Sequence, residues 1–156
     1  MIYLTTTQLQ QIRLHAQTTY PQECCGLLLG TLENQHKFVL EVRETENNWS
    51  PHTDESLPHL PSSTGQTLSK NNRFSIAPEI LLQVQKEVRD RQINLIGIYH
   101  SHPDYPAIPS EFDRVIAWPA YSYLIVSVIL GKATELQSWI LNEHQQFKPE
   151  IIKYVA

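Results

Sequence analysis

Residues 97–113, "GIYHSHPDYPAIPSEFD", join the end of an apolar segment to a short polar run. The apolar lead-in, "INLIGIY", is rich in Ile, Leu and Tyr and lacks helical spacing, which predicts a strand. Residues i and i+2 of a strand point to the same face, so His100 and His102 project together. They follow the C-terminal end of the apolar run, where open α/β sheets usually place their sites.

Two imidazoles on one face, with a carboxylate from the next element, are the ligand set of a zinc site built from two histidines and one acid. Asp113 is the candidate third ligand, because it falls in the first turn of a helix predicted over residues 110–117. Three protein ligands leave a fourth position for water, whose pKa zinc lowers to about 7. A purely structural interpretation is also open. Ser110 and Asp113 fit a Ser-x-x-acid capping box, and the histidines are then polar residues where a strand reaches solvent.

The rest of the chain predicts a mixed sheet with interspersed helices. Helices are predicted over residues 5–20, 78–91 and 110–117, with Thr5–Thr7 as N-caps and Pro78 as a first helical residue. Strands are predicted over residues 26–32, 37–47, 73–76, 93–102, 121–130, 135–142 and 150–155. Together these elements indicate an α/β or α+β three-layer fold, in which a mixed β-sheet is flanked by helices.

Two further stretches carry specific expectations. The alternation in residues 37–47 predicts that Phe38, Leu40 and Val42 face the core. Residues 47–72 are rich in Asn, Ser, Thr and Pro, and they predict a long polar loop that is either functional or mobile. A chain of 156 residues fits a single domain over residues 1–156 that contains this loop.

Composition and charge exclude several classes of partner. Hydrophobic residues make up 41% and charged residues 18% of the chain, as in soluble globular proteins. The formal net charge of −4 gives no basic footprint, so no nucleic-acid partner is expected. No apolar run reaches the ~18–20 residues that span a bilayer, and the N-terminus lacks the features of a signal peptide. Adjacent cysteines such as Cys24 and Cys25 rarely meet disulfide geometry, so a reducing cytoplasm is expected.

The spacing of the polar residues resembles a known family. The run "HSHP" at residues 100–103, followed by Ser110 and Asp113, matches the H-[ST]-H-P-x6-S-x-x-D signature of the JAMM (MPN-plus) zinc metalloproteases. Upstream, "YPQECCGLLLG" at residues 20–30 resembles the P-x-E-x-C-G segment that supplies the catalytic glutamate of that family. A weaker likeness lies in "RFSIAPEIL", which resembles the strand and helix that lead into the motif. The likeness extends over about residues 1–130.

The resemblance implies a role for each matching residue. Zinc would be bound by His100, His102 and Asp113. Glu23 would be the general base that takes a proton from the zinc-bound water and passes it to the leaving amine. Ser110 would help to hold the oxyanion of the tetrahedral intermediate. The implied fold is the MPN, or cytidine-deaminase-like, fold.

The family resemblance also implies a substrate class. Its members cleave peptide or isopeptide bonds after the C-terminal tail of ubiquitin or a ubiquitin-like protein, and short prokaryotic members are associated with ubiquitin-like sulfur-carrier proteins. The expected partner is therefore such a protein with a Gly-Gly-type tail. Only "RVIAWPAYS" separates Asp113 from the next strand, so the second insertion of larger deubiquitinases is absent, which argues against linkage-selective polyubiquitin cleavage.

Two other functional classes are alternatives to a metallopeptidase. Many relatives of this fold are catalytically silent interaction modules, but such relatives typically lack one of the four groups that correspond to Glu23, His100, His102 and Asp113, and all four are present here. A zinc deaminase would require H-x-E with P-C-x-x-C, whereas this chain has H-x-H and no C-x-x-C, so that class is rejected. The oligomeric state does not follow from the sequence.

Overall fold

The computed structural model describes residues 1–54 and 67–156, which form eight strands and four helices. The strands are β1 (Ile2–Thr5), β2 (Cys25–Glu33), β3 (His36–Thr45), β4 (Asn94–Pro103), β5 (Ser122–Ile129), β6 (Lys132–Leu141), β7 (Phe147–Glu150) and β8 (Ile152–Val155). The helices are α1 (Thr6–Thr19), α2 (Pro51–Asp54), α3 (Pro78–Asp90) and α4 (Glu111–Ile116). Residues 55–66 of the polar loop expected over residues 47–72 lie outside the described residues, and the first part of the loop contains the short α2.

All eight described strands belong to one sheet, in the order β7-β6-β5-β4-β2-β3-β1-β8. The pairs β1–β3, β1–β8 and β4–β5 are parallel, and the other pairs are antiparallel, so the sheet is mixed as predicted. Strands β7 and β8 lie at opposite edges, yet only Ile151 separates them along the chain. Because one residue spans less than ~4 Å, the sheet must curl until its two edges meet at this point.

The two faces of the sheet carry separate apolar cores. One core contains Ile12 and Ala16 of α1, packed on side chains such as Leu28, Tyr99 and Leu124. The other lies between the opposite face and the helices α3 and α4, and its buried members are Cys25, Leu27, Leu29, Phe74, Ile76, Val84, Val88 and Phe112. The layers are thus helix, sheet and helices, which confirms the predicted mixed α+β fold. No helix among the described residues is long and apolar enough to cross a bilayer.

The three predicted helices are confirmed, and their ends differ from the prediction by at most one residue. Thr5 caps α1 in a capping box with Gln8, and Pro78 occupies the first turn of α3. Two short strands, β1 and β7, were not predicted, because four residues give too little periodicity to be recognised. The strand predicted over residues 73–76 is wrong, since the segment is extended but belongs to none of the described strands.

The predicted inward face of β3 is wrong at one position. Leu40 is 55% exposed, whereas Val39 and Val42 are each only 7% exposed. The register of β2 against β3 shifts between Leu29 and Gly30, which is a β-bulge. A bulge inserts one unpaired residue, so strict alternation fails there and Leu40 turns toward solvent.

A glycine allows β2 and β4 to pack where a tyrosine ring crosses the strand. Gly26 lies directly opposite Tyr99, and a Cβ at position 26 would lie 2.3 Å from Tyr99 Cε1. The Tyr99 side chain is buried, and its hydroxyl is 2.8 Å from Nδ1 of His15 on α1. This ring therefore connects α1 to the central strands, and position 26 must leave space for it.

We expect Gly26→Ala to lower the free energy of unfolding by about 1–3 kcal/mol, the usual cost of overpacking a core. In a Tyr99→Leu background the ring is gone, so the same substitution should cost clearly less. Urea denaturation of the four proteins of this double-mutant cycle measures both costs. Equal costs in the two backgrounds would show that the Tyr99 ring is not the reason for glycine at position 26.

Candidate metal centre

Three elements bring polar side chains to one end of the sheet. The register of β2 and β4 sets Cys25 opposite His100, so Glu23, just before β2, lies beside the end of β4. His100 and His102 face the same side of β4, as their spacing predicted. The first turn of α4 supplies Asp113 from the opposite direction. The structure therefore places all four of these residues around one point.

The donor atoms of His100, His102 and Asp113 lie close together in a buried setting. The two Nε2 atoms are 3.1 Å apart, Asp113 Oδ1 is 3.2 Å from Nε2 of His100, and Asp113 Oδ2 is 3.1 Å from Nε2 of His102. Tetrahedral zinc with bonds of about 2.0–2.1 Å separates its ligand atoms by about 3.3 Å. The donor set and its spacing therefore fit a metal ion of this kind.

The protonation state of His102 points the same way. Its Nδ1 lies 2.8 Å from the carbonyl oxygen of Pro106, and a carbonyl only accepts, so Nδ1 carries a proton. In the neutral ring, Nε2 then presents a lone pair to the carboxylate of Asp113 and to Nε2 of His100. These acceptor atoms repel one another at about 3 Å, so a metal ion or additional protons must lie between them. Such a carbonyl partner is the usual orienting contact of a metal-binding histidine.

The second carboxylate, Glu23, borders the same point from further away. Its side chain is buried, and Oε1 is 3.9 Å from Nε2 of His102. One donor atom from each of Glu23, His100 and His102 lies within 4.8 Å of the others, a grouping that could hold a metal ion. Within residues 1–54 and 67–156, Glu23 Oε2 has no hydrogen-bond partner although it is buried. Asp113 is thus the nearer carboxylate, and Glu23 is the one with an unused buried oxygen.

The capping box expected at residues 110–113 is present in full. Ser110 Oγ accepts from the backbone N–H of Asp113 at 3.1 Å, and Asp113 Oδ2 accepts from the backbone N–H of Ser110 at 2.8 Å. The same Oδ2 is the atom that faces His102. The structural and the metal-binding interpretations are therefore compatible, because the cap holds the carboxylate in the orientation that the site requires.

Burial and mutual charges separate the pKa values of the four groups. Burial, reinforced by the charge of Asp113, raises the pKa of Glu23 well above its ordinary value. Burial alone would also raise the pKa of Asp113, but the charges and hydrogen bonds of His100 and His102 outweigh it and lower that pKa. Burial lowers the pKa of His100, whereas the contacts of His102 with Asp113 and Pro106 overcome burial and raise its pKa.

An open cavity of about 270 Å3 gives access to the site. It is lined by Glu23, Asn72, Arg73, His102, Tyr105, Pro106, Ile108 and Ser110. The guanidinium carbon of Arg73 lies 4.5 Å from the centre of the Phe112 ring, which keeps this cation at the cavity wall. A chain entering the cavity would meet Glu23, His102 and Ser110 together.

The sequence does not predict several residues that support the site. Ser101, between the histidines, points to the other face and accepts a hydrogen bond from the backbone N–H of Cys24 at 2.8 Å. Phe74 stacks on the His100 ring with centroids 4.4 Å apart. Because Ser101 lies between two histidines that share a face of the strand, alternation predicts that its side chain points to the other face. No local pattern indicates its hydrogen-bond partner or the contact between Phe74 and His100.

The adjacent cysteines are free thiols packed into the structure. Both are buried, and burial raises the pKa of Cys24 to about 12 and that of Cys25 to about 11. Cys25 Sγ contacts Thr45 Oγ1 at 3.4 Å and the carbonyl oxygen of Glu46 at 3.5 Å. Neutral thiols are poor metal ligands, so packing accounts for both residues.

Solved structures of other proteins share the fold of this chain. A protein from Desulfitobacterium hafniense, solved in solution, is 27% identical and superimposes with a TM-score of 0.76, covering 99% of this chain and 93% of its own. A protein from Salinibacter ruber is 28% identical and superimposes with a TM-score of 0.67, covering 99% of this chain and 92% of its own. A JAB1/MPN domain protein from Archaeoglobus fulgidus shares the fold, with 16% identity, a TM-score of 0.53 and coverage of 99% and 98%.

Two curated relatives are similar in sequence, and both are named desampylase. The protein of Pyrococcus furiosus is 28% identical over 123 residues, which are 78% of this chain and 68% of the relative. That of Haloferax volcanii is 36% identical over 55 residues, which are 35% of this chain and 40% of the relative. Residues 5–142 match the model of the prokaryotic homologs of the JAB domain (Prok-JAB), and the chain therefore belongs to this family, as a short prokaryotic JAMM-type member.

Proposed function

We propose that this protein is a zinc metallopeptidase or isopeptidase. It would hydrolyse the bond that follows the C-terminal tail of a ubiquitin-like or sulfur-carrier protein. The observation that carries the proposal is the convergence of His100, His102 and Asp113 at 3.1–3.2 Å, with Oε1 of Glu23 3.9 Å from His102 Nε2. The two relatives named desampylase support a hydrolase that acts on a protein conjugate.

His100, His102 and Asp113 are the residues that would hold the metal. Two neutral imidazoles and one carboxylate with converging donor atoms are a common ligand set for a catalytic zinc. When bound, zinc supplies Lewis-acid polarisation of the scissile carbonyl and lowers the pKa of water to about 7. Pro106 O orients the His102 ring, and the Ser110 cap orients Asp113, so the ligand set is arranged before the metal binds.

Glu23 is assigned the proton transfers. Its carboxylate takes a proton from the attacking water as the water oxygen bonds to the carbonyl carbon. The same proton then passes to the leaving nitrogen as the C–N bond breaks, which restores the carboxylate. Burial raises the pKa of Glu23, and a raised pKa makes the ionised carboxylate a stronger base for the proton of the attacking water.

Ser110 is assigned to the developing oxyanion. In the capping box its Oγ acts as an acceptor, so the hydroxyl proton is available for donation into the cavity that Ser110 lines. A donor aimed at the charge that develops in the transition state stabilises that state more than the ground state. The cap and the catalytic role thus use different parts of one hydroxyl group.

The substrate assignment rests on the family resemblance and on the lining of the cavity. Tyr105, Pro106 and Ile108 form part of its wall, and residues without side chains, such as a Gly-Gly tail, would fit beside them with the least steric conflict. Only residues 117–121 separate α4 from β5, so no inserted element enlarges the groove on that side. This supports a small ubiquitin-like partner rather than selection of one polyubiquitin linkage.

We further propose a single JAB domain and a cytoplasmic location. Strands from both ends of the described chain, β1 and β8, pair within the same sheet, which supports one domain over residues 1–156. The free, buried thiols of Cys24 and Cys25 support a reducing compartment. A catalytically silent scaffold is the alternative function, and the experiments below separate it from the enzyme.

We expect the purified protein to contain about one zinc per chain, and His100→Ala to lose it. The reason is that removal of one imidazole leaves an incomplete ligand set in a buried site. Elemental analysis by mass spectrometry measures the zinc, and circular dichroism checks the fold. His144→Ala is the matched control, because the His144 side chain is 76% exposed and should leave the zinc content unchanged. Folded wild-type protein that binds no zinc would rule out the metal site.

We expect Glu23→Gln to reduce hydrolysis by about 10²–10⁴-fold without loss of zinc, because an amide cannot carry the proton. The assay uses a panel of small ubiquitin-like proteins extended beyond a Gly-Gly terminus, with cleavage followed by mass spectrometry. Glu143→Gln changes a carboxylate whose side chain is 85% exposed and serves as the control.

The panel also separates the two functions. Equal cleavage by wild type and Glu23→Gln would remove Glu23 from the mechanism. Zinc-loaded wild type that cleaves no member of the panel would favour the silent scaffold.

A further inference from the structure

Asn47, two residues after β3, uses its whole side-chain amide to join separate segments of the chain. Its Nδ2 donates to the carbonyl oxygen of Glu23 at 3.0 Å and to that of Arg73 at 2.9 Å. Its Oδ1 accepts from the backbone N–H of Trp49 at 3.1 Å and from that of Ser75 at 3.2 Å. An amide offers two donors and two acceptor sites, so these four contacts use its full capacity.

One of these contacts acts on the backbone that carries Glu23. The carbonyl of Glu23 is held by Asn47, and its N–H donates to the carbonyl of Lys70 at 2.8 Å. The next residue, Cys24, is bonded to Ser101 of β4 through both its N–H and its carbonyl. With Cys24 already tied to the sheet, the contacts of Asn47 and Lys70 set the remaining freedom of the Glu23 backbone.

Two more of the four contacts act on the segment behind His100. Asn47 bonds to the carbonyl of Arg73 and the N–H of Ser75, which flank Phe74. A third bond joins Asn48 N–H to the carbonyl of Ser75 at 2.8 Å. Phe74 is buried and stacks on the His100 ring with an interplanar angle of 20°. One side chain thus connects the carboxylate-bearing segment with the aromatic ring that supports a histidine.

We propose that Asn47 is a positioning residue that sets the place of the Glu23 carboxylate relative to the two histidines. The inference rests on the proposed function, in which Glu23 carries the proton. Glu23 Oε1 lies 3.9 Å from Nε2 of His102, so a small shift of its backbone removes the carboxylate from reach of the reacting atoms. Misplacement of a catalytic group by about 1 Å can cost on the order of 10²-fold in rate.

Asn47→Asp tests this role with little change in shape. The new carboxylate keeps an acceptor for Trp49 and Ser75, but it places an oxygen where Nδ2 faced the carbonyls of Glu23 and Arg73. Asn142→Asp is the matched control, because Asn142 Oδ1 accepts from the N–H groups at positions 144 and 146, and an aspartate preserves both contacts.

We expect Asn47→Asp to lower kcat by about 10–100-fold while KM and zinc content remain those of the wild type. Asn142→Asp should leave all three quantities unchanged. Asn47→Ser keeps a donor on a shorter side chain, so it should lower kcat less, again with unchanged KM and zinc content. It replaces Asn47→Asp in the test if that variant does not fold. A folded, zinc-loaded Asn47→Asp with wild-type kcat would overturn the proposal.

The double variant with Glu23→Gln distinguishes positioning from general loss of structure. If Asn47 acts through Glu23, Asn47→Asp should cause no further loss of the residual activity of Glu23→Gln, because the group being positioned is already inactive. A loss of the same size in both backgrounds would overturn the proposal and assign Asn47 a structural role only.

A second measurement does not depend on hydrolysis. In wild type, the N–H of Glu23 bonds to Lys70 and that of Ser75 bonds to Asn47, so both amides should be protected from hydrogen exchange. We expect Asn47→Asp to accelerate exchange at the Glu23 amide, because the carbonyl of Glu23 loses its donor. The Ser75 amide, which keeps an acceptor, and the Ser101 amide, bonded to Cys24, should keep their protection. Unchanged exchange at Glu23 would overturn the positioning role. If wild type cleaves nothing but these amides respond as expected, the enzymatic proposal fails and the positioning contact remains.

Discussion

Antiparallel pairing of β2 with β4 sets Cys25 opposite His100, and the other features of the site depend on that register. Side chains alternate between the faces of a strand, so a slip of one residue would turn both histidines toward the core around α1. Ser101 reinforces the register by accepting the hydrogen bond of Cys24 from the neighbouring strand. As a result Glu23, which precedes β2 and is not part of the strand pairing, lies beside the end of β4.

Around this register the protein buries two carboxylates and two imidazoles, which is costly unless their charges are balanced. The surroundings treat the two carboxylates differently. When the two histidines are protonated, their charges and hydrogen bonds favour the ionised form of Asp113, whereas burial and the charge of Asp113 favour the protonated form of Glu23. Environments that separate the pKa values of two acids are the usual basis for giving them different roles. The proposed division between a ligand and a proton carrier agrees with this contrast.

Much of the fold and part of the site could be predicted because their signals are local. Thr5 and Pro78 mark helix starts through their own backbone chemistry, and the H-x-H spacing on a strand places two imidazoles on one face. Local signals failed where two strands interact. The bulge opposite Gly30 turns Leu40 to solvent, since the register of β2 against β3 is a property of the pair and cannot be read from either strand alone.

The sequence by itself determined the fold class, the paired histidines and the cap that presents Asp113, because each depends on residues a few positions apart. Only the tertiary structure decided that Glu23 lies 3.9 Å from His102 and that Asn47 holds its backbone. Those contacts join segments that are distant along the chain, and the curled sheet brings them together. The physical reason is that spacing fixes direction within one element, whereas distances between elements are set by strand register and packing.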